Sequence, residues 1–169
     1  MKATIFILFS SLAISSLPLF TSLQGVDAAS TVDSTFVAKV SQGGMYEVEA
    51  SKVAEQRATA QDVMDIAAMD VHDHTLVNRE LIKIAAAQGI NLPSQLNATF
   101  EQRLAHLKHV SNTEFNAAYI SDMAQIHDMD EKLFAQEALD GTGDLKVFAA
   151  KTDLIVKRHI GAIHGTDEK

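Results

Sequence analysis

Apolar residues recur along most of this chain at three- and four-residue steps, and that spacing predicts helices throughout. A first helical stretch carries Phe36, Val37 and Val40, with Asp33 or Ser34 placed to cap it. Gly43-Gly44 follows and reads as a break, with a second stretch from Met45 to about Ala58. The clearest stripe runs from about Ala60 to Gln88, through Val63, Ile66, Ala67, Asp70, His74, Val77, Leu81 and Ala85. Gly89 and the turn Asn91-Leu92-Pro93 end it. A short helix from about Ala98 to Val110 turns Phe100, Leu104 and Leu107 inward. Ser111 or Asn112 then caps a long helix to about Leu139, with Phe115, Tyr119, Met123, Ile126 and Phe134 on one side. Past Gly141-Thr142-Gly143, a last helix from Asp144 to about Ile163 aligns Leu145, Phe148, Thr152, Ile155 and His159. No segment alternates with a period of two, so no strands are predicted. The two long helices, each ~40 Å at 1.5 Å per residue, match in length and favour side-by-side packing. The expected architecture is an all-α four-helix bundle with a short extra helix.

The N-terminus departs from this pattern. Lys2 precedes an apolar run from Ala3 to Leu19, and Val26-Asp27-Ala28 offers small residues for cleavage before Ala29. Residues 1–28 therefore read as a secretory signal peptide, 29–35 as a short linker, 36–164 as the helical domain and 165–169 as a disordered tail. Ser10, Ser11, Ser15, Ser16 and Pro18 weaken the alternative of a retained membrane anchor. No later stretch approaches the ~20 apolar residues that span a bilayer. The expected location is the periplasm or the outside of the cell.

Composition narrows the partners. With no cysteine, an exported chain of this size is held by packing alone, and thiolate metal sites are excluded. A net charge of −8 argues against nucleic acid or anionic lipid and is compatible with cation binding. No Ser/His/Asp constellation and no phosphate-cradling loop is present, which points away from an enzyme.

The candidate chemistry lies on the apolar stripes. His74, His127 and His159 stand where a helix should bury apolar residues, each on a different helix. Asp70 is one turn before His74, and Glu47 lies on the preceding helical stretch. Buried imidazole is costly unless paired. Converging, Glu47, Asp70, His74, His127 and His159 form a divalent-metal site suited to Zn, Mn, Fe or Cu, and a thioether from Met123 would bias it towards copper. Protons would compete with metal through the ordinary histidine range near ~6.5. Spread along ~40 Å helices, the same residues would instead be separate polar contacts in a structural or interaction module. No histidine has a Glu three residues before it, so the Glu-x-x-His di-iron pattern is absent. His72, His106, His109 and His164 lie off the stripes and read as surface groups.

The runs GGMYEVE (43–49), DHTLVNREL (73–81), INLP (90–93), the Tyr119, Met123, His127, Phe134 spacing and FAAKT (148–152) followed by His159 resemble one bacterial family. This is DUF4142, a domain of unknown function often labelled "predicted outer membrane protein". The resemblance implies an exported, ferritin-like helical bundle and no activity. Asp73, His74, His127 and His159 match positions where the family shows those residue types. Ile126 departs from an Asp common before the histidine, and Leu154 from a Pro common in the last helix. An outer-membrane barrel needs alternating strands, so the label implies at most peripheral envelope association.

Overall fold

The computed structural model of the protein describes residues 31–165, and all five elements there are helices: α1 (Thr31–Arg57), α2 (Gln61–Ala87), α3 (Ala98–His109), α4 (Phe115–Asp140) and α5 (Gly143–Ile163). The expected signal peptide (1–28) and the tail beyond Gly165 lie outside the described residues. No strand occurs among the described residues, and no helix there is long and apolar enough to cross a membrane.

Helices α1, α2, α5 and α4 pack in that cyclic order as a four-helix bundle, with α3 against α1 and α4. One apolar cluster joins the C-terminal half of α1 to the starts of α2 and α4, with Ile163 from the end of α5. The other joins Phe36, Val37 and Val40 to Leu81 and Ala85 of α2, Phe134 of α4 and Leu145 and Phe148 of α5. The bundle therefore runs up-down-down-up. The connection 88–114 carries the chain back along the bundle, with α3 inside it. Between the two clusters lies a polar layer.

The glycine pair is the main difference from expectation: α1 passes through Gly43-Gly44 without a break. Glycine in a helix costs about 1 kcal/mol against alanine, but at Gly44 the placement of the Asn78 side chain leaves no space for a Cβ. A Cβ on Gly44 would come within 2.1 Å of Asn78 Oδ1, and one on Gly43 within 3.4 Å of Asp130 Oδ1. The pair lets α2 and α4 carry polar side chains against the α1 backbone. Residues 31–35, expected as linker, are also helical. Asp33 does not act as a cap. Its buried carboxylate accepts hydrogen bonds from the Thr142 hydroxyl (2.6 Å) and backbone N–H (3.2 Å), tying α1 to the α4–α5 turn.

Side chains fix the crossover as well. Asn97 caps α3 by accepting from the Phe100 N–H. Arg57 donates to the carbonyls of Leu107, Lys108 and Val110, satisfying the end of α3 with a cation where the helix dipole favours one. Gln42 accepts from the Asn97 N–H and donates to the Gln95 carbonyl, pinning the loop to α1. Arg103 of α3 pairs with Asp122 of α4 at 2.7 Å and lies over the Tyr46 ring, whose hydroxyl donates to the same Asp122. That contact holds α1 beside Glu47.

Candidate metal centre

Each of the four long helices sends ionisable side chains into the polar layer. From α1 come Glu47 and, one turn later, Ser51; from α2, Asp70 and His74; from α4, His127 and Asp130; from α5, His159. His74 and His127 lie at similar distances along two parallel helices, and the short links after α1 and α4 bring the antiparallel partners to the same height. The three imidazoles meet, with ring centroids 5.2–5.4 Å apart. One ligand atom from each of Asp70, His74, His127 and His159 lies within 4.8 Å of the others, and all four residues are buried.

The hydrogen bonds outside this cluster decide which atoms face it. His127 Nδ1–H donates to the Met123 carbonyl at 2.9 Å, so its Nε2 faces the centre. His159 Nε2–H donates to Asp73 Oδ2 at 2.9 Å, so its Nδ1 faces the centre. These two inward nitrogens are 3.2 Å apart, and Asp70 Oδ1 stands 2.9 Å from the one on His159 and 3.5 Å from the one on His127. His74 turns Nδ1 towards Glu47 Oε2 at 3.1 Å, and its buried Nε2 has no hydrogen-bond partner. Asp70 Oδ2 accepts from Ser51 and Tyr119 at 3.3 Å each, leaving Oδ1 for the centre. Four ligand-type atoms thus converge, with the His127 and His159 rings held from behind. Such an arrangement is repulsive unless a proton or a cation sits among them.

Protonation follows the same logic. Burial lowers His74 to about 3, so its ring is neutral at neutral pH. Burial also disfavours charge on His127, but Glu47 and Asp70 outweigh it and raise the group to about 10. Burial would raise Asp70, yet the hydrogen bonds from His127 and His159 hold it well below the usual carboxylate range. Burial and the nearby Asp130 carboxylate raise Glu47 well above that range, and burial raises Asp130 to about 7. The pocket without metal therefore retains protons among its carboxylates and imidazoles.

All five residues expected at the site lie in this layer, but they divide into two sets. Asp70, His74, His127 and His159 form the cluster; Glu47 stands behind two of the rings, 3.1 Å from His74 Nδ1 and 3.6 Å from His127 Nδ1. Both contacts are within ion-pair range but off the line of a hydrogen bond, because neither Glu47 oxygen has such a partner. Met123 contributes its carbonyl, while its side chain packs into an apolar cluster. Met123 therefore brings no thioether to bias the site towards copper. His72, His106, His109 and His164 are exposed. Sequence reasoning missed Asp130 and Ser51 as partners and gave Asp73 only as a match to the family pattern. Asp73 links His159 to the surface, where it also meets His72 at 2.8 Å and Arg158. Helical spacing was the available signal: Ser51 is one turn from Glu47, Asp73 from Asp70 and Asp130 from His127.

A solved structure described as a DUF305 fragment from Deinococcus radiodurans has a similar fold. Its TM-score is 0.72 at 12% identity, over 82% of this chain and 96% of that one. No curated protein matches the chain in sequence. The profile of DUF4142, a domain of unknown function, matches residues 20–165, nearly the whole chain including all of the cluster; the protein belongs to the DUF4142 family.

Proposed function

We propose that this protein binds and buffers a divalent metal ion, held by Asp70, His74, His127 and His159, in the periplasm or outside a bacterial cell. The observation that carries the reading is that Asp70, His74, His127 and His159 are all buried and each brings a ligand atom within 4.8 Å of the others, with the His127 and His159 rings fixed from behind. Three imidazoles and a carboxylate, with no sulfur donor, suit Zn, Mn, Fe or Cu(II). Glu47 orients the His74 ring and compensates charge from behind. The second reading is a metal-free polar core in a structural or interaction module. It is supported by the raised His127, because a proton on that ring also relieves the repulsion.

Metal analysis and thermal melts of protein purified without a His-tag separate the two. One ion per chain is expected, with stabilisation of about 2.7 kcal/mol at a hundredfold excess over the dissociation constant. His74→Ala should abolish that gain and His72→Ala should preserve it. A wild-type midpoint unmoved by Zn, Mn, Fe and Cu leaves only the polar-core reading.

Export rests on the apolar N-terminal run and the Val26-Asp27-Ala28 cleavage pattern. The mature chain is expected to begin at Ala29 or within two residues of it, by N-terminal sequencing of the periplasmic fraction. Intact Met1 protein in the membrane pellet would establish an anchored form instead.

A further inference from the structure

Behind the His74 ring lies a closed cavity, too tight to admit a water molecule, whose lining includes Glu47, His74, Asn78 and Asp130, with Val40 and Phe134 as apolar walls. Glu47 is fully buried, and neither of its oxygens accepts a hydrogen bond. The Asp130 carboxylate lies against α1 at Gly43, one turn from Glu47. Two carboxylates therefore share one small space beside the histidine cluster. On the other side of Asn78 is an open groove whose lining includes Met45, Glu49, Ser94, Gln95 and Glu101. Asn78 lines both the groove and the cavity. It is half-buried, and its side chain lies so close to Gly44 that no Cβ fits between them.

We propose that Glu47 and Asp130 form a transit subsite for a divalent cation, reached from the surface groove when the Asn78 side chain moves aside and adjoining the histidine centre at His74. The inference rests on the reading of that cluster as a metal centre. Glu101 places negative charge at the mouth, beside Glu49 in its ion pair with Lys52, which raises the local concentration of cations. Asn78 presents an amide oxygen that can replace part of an ion's hydration shell at the narrowest point. Inside, Glu47 and Asp130 offer two carboxylates to a doubly charged ion before the imidazoles take it. Gly44 has a role in this arrangement too, since it leaves the room that Asn78 occupies.

A passage and a ligand leave different kinetic signatures. A residue on the path changes entry and exit by the same factor and leaves the dissociation constant alone, whereas a lost ligand mainly speeds release. The test is stopped-flow uptake of Zn2+ and its extraction by excess chelator, on the full mature chain. Asn78→Leu, which blocks the passage with an apolar side chain, is expected to slow both by about tenfold at unchanged affinity. Asn78→Ala, which opens it, should speed both. Asp130→Asn should slow uptake, and Glu101→Gln at the mouth should reduce its dependence on ionic strength, as loss of a steering charge does.

Unchanged rates in both Asn78 variants, in a protein that still binds Zn2+, would overturn the proposal and direct the path past Asp73 and Arg158 instead. Faster release alone in Asp130→Asn would also overturn it, making Asp130 a ligand of a resident ion. A wild-type chain that takes up no Zn2+, Mn2+, Fe2+ or Cu2+ removes the centre itself, an outcome distinct from either.

Discussion

Asp70→Ala is expected to cost about 3–5 kcal/mol of folding stability in metal-free protein near pH 5.5, the usual result of breaking a buried charge pair from one side. Asp70 is fully buried, accepts hydrogen bonds from Ser51 and Tyr119, and faces His127 and His159. Without it, the charge on His127 is left buried with its nearest carboxylate gone and only Glu47 and Asp130, both held above the usual carboxylate range, to compensate. The loss should also depend on pH at both ends. Asp70 has a folded pKa below its unfolded value, so its contribution is present above ~3.9 and fades as pH falls below that. His127 has a folded pKa raised to about 10, so its contribution is complete below its unfolded value of ~6.5 and is lost as pH rises towards about 10. The difference between wild type and variant should therefore peak between ~4 and ~6.5 and shrink on either side. Urea unfolding across pH with chelator present measures it. A difference below ~1 kcal/mol at pH 5.5, or one flat in pH, would show that no such charge pair holds the layer together.

The helical period made the faces of this protein legible, and with them the site residues. His74, His127 and His159 stood out because each interrupts an apolar stripe, and burial bears out that placement for all three. What the period does not encode is height along the bundle. Whether three inward histidines meet depends on helix direction and on the links between helices, here three residues after α1 and two after α4. Nor does spacing say which ring nitrogen faces inward. That depends on partners outside the stripe, such as Asp73 on α2 and the Met123 carbonyl on α4, whose positions follow only from packing. The Gly43-Gly44 error has the same origin. Local propensity argues for a break, while the close approach of the Asn78 side chain that favours glycine at position 44 is a tertiary fact.

Metal affinity should rise about tenfold per pH unit from pH 7 to 9, some hundredfold and ~2.7 kcal/mol in all. An imidazole of ordinary pKa would be neutral over that range and give almost no dependence, which is what the sequence alone leads one to expect. The difference lies in His127. Burial disfavours its charged form, but Glu47 and Asp70 overcome that and hold the ring protonated up to about 10. The proton is held at the heart of the cluster, because Nδ1 is committed to the Met123 carbonyl and Nε2 faces His159 and Asp70. An ion can use that Nε2 only by expelling the proton. His74, lowered to about 3, has none to give up at these pH values. Chelator competition at fixed ionic strength gives the slope, and calorimetry in buffers of different ionisation enthalpy counts the proton released. Glu47→Gln removes the charge that does most to raise His127, so its ring should titrate lower and the slope should flatten above pH 8. An affinity independent of pH between 7 and 9 in the wild type would mean that His127 holds no proton to displace, and that an ion, where one binds, enters without using its inward nitrogen.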